Sequence, residues 1–130
     1  MWSTRHATQV VACEHCHETG GRHTCDRRLD KTRLAALYPA VDYSELTSEA
    51  DPLWDAERRE SPADVARRAA EFAGWLGRRP ERVIAVAAHS GFLLALCNAA
   101  FETDDEEITA WFGTGECRAV SLRWGGAKRP

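Results

Sequence analysis

The chain has 130 residues, of which 44% are hydrophobic and 28% charged, a balance that fits one soluble domain with one core and excludes a disordered chain. A formal net charge of −3 supplies no global basic field for nucleic acid. No apolar run reaches the roughly 18 residues of a membrane span, and "MWSTRHATQ" has no apolar signal region.

In chain order, "VVAC" at 10–13 predicts a short strand, and "KTRLAALYP" a short helix stopped by Pro39. From Val41 to Glu60 the pattern is loop, anchored by Tyr43, Leu46, Leu53 and Trp54. "SPADVARRAAEFAGWL" opens a helix with Ser61 as N-cap, Pro62 at the first helical position and Asp64 in the first turn. Val65, Ala69, Phe72 and Leu76 form its buried stripe, while Arg67, Arg68 and Glu71 are assigned to its wet face. "RVIAVAA", Arg82 to Ala88, reads as a strand buried on both faces. The apolar helix "FLLALCNAAF" follows "HSG", then comes an acidic turn with a short helix, and "CRAVSLRW" at 117–124 alternates as a closing strand. Alternation of helix and strand predicts an α/β domain. Trp54, Trp75, Trp111 and Trp124 read as packing residues, and Arg22, Arg27, Arg28, Arg58 and Arg59 as solvated charge.

Two segments carry chemistry. "VIAVAAHSG" sets His89 where a strand ends and a helix begins, the place where open α/β sheets bind ligands. The helix amides there favour an anion, Gly91 lets the backbone approach, Ser90 adds a hydroxyl, and an imidazole can bind a phosphoryl oxygen or exchange a proton. The competing reading is a histidine that caps a strand end for structure.

"CEHCHE", Cys13 to Glu18, is open to three readings. C-x-x-C-H suggests haem attachment, which the lack of an export signal and of any methionine beyond Met1 argues against. Cys13, Cys16, His23 and Cys25 have the softness of zinc ligands, although the last spacing is unusual, so a small zinc module at 13–25 stands as an alternative. The third reading is a carboxylic acid, Glu14 or Glu18, beside a phosphate site. Five cysteines without an export signal read as reduced thiols of an intracellular, cytoplasmic protein.

"RRPERVIAVAAHSGFLLAL" resembles the region around the second catalytic histidine of the histidine phosphatase superfamily, the phosphoglycerate mutase-like proteins. "VVACEHCHETGGRHTCDRR", "YPAVDYSELTSEADPLW", "RRESPADVARRAAEFAGWL" and "WFGTGECRAVSLRW" resemble other parts of its plant, algal and protist branch, so that the likeness spans about residues 9–124. It implies one domain, a three-layer α/β/α sandwich, with residues 1–8 expected to be disordered. It also implies a phosphohistidine mechanism that needs neither cofactor nor metal. Mutase and phosphatase chemistry use the same residues: one histidine takes the phosphoryl group, a second histidine and arginines hold its oxygens, and an acid protonates the leaving group. The resemblance casts His89 as the second histidine and Glu14 or Glu18 as the acid, while the helix-start reading sets Ser90 and Gly91 beside His89 at the phosphate. The partner is then a phosphorylated small molecule or phosphoprotein, with no role for nucleic acid or membrane.

The family's Arg-His-Gly motif ends a strand that should precede all of this. "TRHAT" contains Arg5 and His6, but no buried strand leads into it and the spacer to Glu14 is short, so an exposed polar terminus is the reading adopted. An N-terminally truncated fold is expected, with an exposed sheet edge that invites homo-oligomers. A non-catalytic remnant that binds a phosphate ligand or a protein is the alternative to an active enzyme.

Overall fold

The computed structural model describes residues 8–125. Strand β1 (Val10–Val11) pairs in parallel with β2 (Val41–Asp42), in the register Val10 to Val41 and Val11 to Asp42. The Ala12 amide extends the pairing by donating to the Asp42 carbonyl at 2.9 Å. Between the strands lie two 3₁₀ turns (Glu14–Cys16 and Thr24–Asp26) and α1 (Lys31–Leu37). The remaining helices are α2 (Pro62–Gly77), α3 (Ser90–Ala99) and α4 (Glu106–Thr109). Helices and a small parallel sheet make this an α/β chain.

Helix α2 starts where its sequence requires. The Ser61 hydroxyl accepts from the Asp64 amide at 3.2 Å, while the Asp64 carboxylate takes the Ser61 amide at 3.2 Å, so two otherwise orphaned donors are satisfied. Pro62 follows at a position that has no helical hydrogen bond to lose. Val65, Ala69, Phe72 and Leu76 are buried as the periodicity requires. They meet Phe92 and Leu96 of α3, and the Phe72 and Phe92 rings pack edge to face at 5.6 Å.

The wet-face assignment of Arg68 is wrong: its side chain is only 5% exposed. Residue 68 stands three after Val65 and four before Phe72, so it lies within the apolar stripe, and its guanidinium is accommodated because carboxylate and carbonyl groups ring it. Arg28 is also removed from solvent by its bonds, whereas Arg58 is exposed. Among the loop anchors Leu46 is buried, but Leu53 is exposed. Trp75 stacks on Phe72 with centroids 5.7 Å apart, whereas Trp111 faces solvent.

The two apolar segments expected as strands do not form ladders. Residues 82–88 and 117–124 carry no strand pairing among the described residues. Val86 and Ala88 lie on the helix core, which covers one side of the 82–88 segment. Val83, at 91% exposed, marks the other side as bare. A strand exists through hydrogen bonds to a neighbour, and the only ladder among the described residues, β1 with β2, does not reach this segment. Val120, Leu122 and Trp124 are exposed as well. No helix among the described residues is long and apolar enough to cross a membrane.

Candidate functional site

The site forms where the turn after β1 meets the first residues of α3. His89 is the N-cap of α3, held in an extended conformation, and its carbonyl accepts from the Leu93 amide at 2.9 Å. Its imidazole is 66% exposed, and Nδ1 stands 3.9 Å from the Glu18 Oε2 atom. Glu18 is largely sheltered, and its Oε1 accepts from the Thr19 amide at 2.8 Å. Gly91 is what lets the carboxylate come this close. A Cβ at that position would lie 2.7 Å from Glu18 Oε1. The structure thus brings together Glu18, His89 and Gly91, with Ser90 the first residue of the helix between them.

Glu14 points elsewhere. Arg28 grips it with two parallel bonds, Nε to Oε1 at 2.9 Å and Nη2 to Oε2 at 3.1 Å. The same guanidinium donates to the carbonyls of Leu29, Ser48, Glu49 and Ala50. Glu14 is therefore part of a brace between the first 3₁₀ turn and the loop before Asp51, and only one of the two candidate carboxylates faces His89.

The residue that holds the Glu18 turn was not among the candidates. Arg68 donates from Nη1 to the carbonyls of His15 and His17, both at 2.8 Å, and from Nη2 to that of Glu18 at 3.3 Å. Its Nε and Nη2 bond to Glu60 at 2.9 and 2.7 Å, and its guanidinium lies over the Phe92 ring, 5.1 Å from the centroid. One side chain thus ties the acid-bearing turn, the residue before the α2 cap and the helix that carries His89. Burial works against ionisation of Glu60, but the Arg68 hydrogen bonds and the Gly20 amide, 2.9 Å away, outweigh it and hold the carboxyl below its usual range. The sequence signal was available: an arginine in register with the stripe, eight residues after a glutamate at the helix entrance.

His17 lies under this network with both ring nitrogens buried and without a hydrogen-bond partner. Burial, reinforced by the Arg68 charge, lowers its pKa. Gly21 has φ +86°, and a side chain there would run into the Arg58 carbonyl.

The four-ligand zinc arrangement is not formed. Among the described residues no three His, Cys, Asp or Glu side chains gather in a way that could hold a metal ion. Cys25 is exposed with its thiol 3.7 Å from an Asp26 oxygen, while Cys16 turns inward toward the helix core. Arg5 and His6 lie outside the described residues.

Sequence comparisons add the family of this α/β chain. The profile of the histidine phosphatase superfamily (branch 1) matches residues 30–129, and the chain belongs to that superfamily. Among its relatives, the "Phosphoglycerate mutase-like protein" of Arabidopsis thaliana is 42% identical over 97 residues, 75% of this chain and 36% of the relative. "Phosphoglycerate mutase-like protein 1" of the same plant is 38% identical over 124 residues, which cover 92% of this chain and 44% of the relative. The chain therefore spans less than half the length of these curated relatives. No solved structure gives a significant match.

Proposed function

We propose that the chain carries the acid and second-histidine side of a phosphohistidine-type site that acts on phosphate esters, as in a phosphatase or phosphomutase. Glu18 is the proton donor to the leaving group, His89 binds a phosphoryl oxygen, and the Ser90 and Gly91 amides face the same anion. The observation that carries this reading is the 3.9 Å approach of Glu18 Oε2 to His89 Nδ1, made possible by a glycine at 91. Superfamily membership and the plant relatives' printed names support the reaction class. The ligand is then a phosphorylated small molecule or a phosphoprotein, and the location the cytoplasm, as the odd number of thiols suggests. The family's three-layer α/β/α sandwich belongs to the same proposal. The bare side of residues 82–88 is where a further strand, or a second copy of the chain, would be accommodated.

A second reading is a phosphate-binding or protein-binding relative without turnover. It is favoured by one fact: among the described residues no arginine is hydrogen-bonded to His89 or to the Glu18 carboxylate. Phosphoryl transfer depends on neutralising charge that develops on the transferred group.

The test is hydrolysis of p-nitrophenyl phosphate in the presence of EDTA, alongside an NMR titration of His89 with inorganic phosphate. Parent chain, His89→Ala, Glu18→Gln and Glu14→Gln are compared. The proposal expects phosphate to shift the His89 resonances, and turnover to fall about 100-fold or more in Glu18→Gln but not in Glu14→Gln. Phosphate binding without turnover selects the second reading. A folded chain whose His89 ignores phosphate rejects the proposal and leaves only the protein-binding form of the second reading.

A further inference from the structure

We propose that Cys13 and Cys16 form a dithiol modification site at which a low-molecular-weight disulfide of the glutathione type oxidises the pair to an intrachain disulfide. The geometry is set by the first 3₁₀ turn. Cys13 caps it with extended backbone (φ −121°, ψ 123°), and the Cys16 amide donates back to the Cys13 carbonyl at 3.4 Å. Three residues of 3₁₀ rise separate the two α-carbons by about 6 Å, inside the window a disulfide requires. The Cys16 thiol turns back over the same turn and donates to the Cys13 carbonyl oxygen at 3.3 Å.

The two sulfurs differ in their surroundings. Cys13 borders a groove of about 490 Å³ lined by His15, Glu45, Glu71, Trp75 and Arg78. The groove gives a small disulfide access, and Arg78 offers its carboxylates a cation. Both cysteines pack against the helix core, but only Cys13 lines the groove. The neighbouring Cys16 thiol, with help from the His15 amide, favours the Cys13 thiolate over burial and the Glu45 charge and lowers the Cys13 pKa. The neighbouring Cys13 and burial push Cys16 above the usual thiol range. Cys13 is thus the attacking group and Cys16 the resolving one.

The exchange balances as follows. The Cys13 thiolate attacks one sulfur of the small disulfide, whose S–S bond breaks and releases one thiolate. Cys16 then loses its proton to that thiolate and attacks the Cys13 sulfur. The mixed bond breaks, the second small thiol leaves after taking a proton from solvent, and the protein disulfide forms. Two protein thiols are oxidised and one small disulfide is reduced to two thiols.

The full chain is incubated with oxidised glutathione at pH 7 in EDTA, and its cysteine peptides are followed by mass spectrometry. Its lowered pKa gives Cys13 a larger thiolate fraction at pH 7 than an ordinary thiol has, so Cys13 is expected to react severalfold faster than the exposed Cys25 and Cys117. The parent chain should end with a bond between Cys13 and Cys16, and Cys16→Ser should instead accumulate the mixed disulfide on Cys13. The proposal is overturned if Cys13 in the parent chain reacts no faster than Cys25, or if no bond to Cys16 follows. The rate ranking and the disulfide map need only the parent chain, so they decide the matter even where Cys16→Ser does not fold. Neither readout depends on phosphate chemistry.

Discussion

Replacing Arg68 by methionine isolates the network that holds the acid-bearing turn. The arginine is 5% and Glu60 15% exposed, so the substitution leaves a nearly buried carboxylate without its cation. Breaking such a pair from one side costs about 3–5 kcal/mol. The His15, His17 and Glu18 carbonyls lose their donor in the same change, which places the expected loss toward the upper end. For a domain of this size the loss corresponds to a fall in Tm of roughly 12–20 °C. Urea unfolding followed by tryptophan fluorescence is the assay, with the midpoint moving and the slope unchanged. The double variant Arg68→Met with Glu60→Gln should recover at least about 1 kcal/mol, because the uncompensated charge is gone. A single variant that loses less than about 1 kcal/mol would refute the reasoning, since Arg68 would then behave like an exposed surface charge.

Two further outcomes follow from the same region. The folded pKa of His17 lies below the ordinary 6.5, so the unfolded chain binds more protons once the pH drops through that value. Its contribution to stability is whole above about 6.5 and is lost progressively as the pH falls toward the folded value; a pH series of urea midpoints should show this slope in the parent chain and not in His17→Gln. Gly21→Ala should cost at least about 2 kcal/mol, because φ is +86° and the Arg58 carbonyl blocks the new methyl. Gly91→Ala meets only the end of a flexible glutamate and should cost less than about 1 kcal/mol while moving Glu18 away from His89; equal losses at the two glycines, read from urea midpoints, would contradict this.

Much of the helical frame was legible because its signals are local. Ser61, Pro62 and Asp64 mark the start of α2 within four residues, and a period of 3.6 marks its buried stripe. His89 was legible for the same reason, as the junction between an apolar run and an apolar helix. Arg68 was misjudged because residue type was weighed above register: a charged side chain can occupy a stripe position when distant carbonyls meet it, and those carbonyls lie about fifty positions away in the chain. That Glu18 and not Glu14 faces His89 was not legible for a similar reason, since it turns on which carboxylate Arg28 captures. The pattern at 82–88 describes a segment suited to burial on both sides, but composition cannot state whether a neighbour is there to pair with it.

The Arg68 contacts also bear on the order in which the molecule assembles. Helix α2 has its capping box and apolar stripe within one short stretch, so it can begin to form from local interactions. The bonds to the His15 and His17 carbonyls close loops of 53 and 51 residues, and that closure must come before they contribute anything. Packing of α3 through Phe92 spans only about twenty residues from Phe72. The helix pair is therefore the early partner and the Glu18 turn the late one, so the carboxylate arrives opposite His89 only in the closing stage of folding.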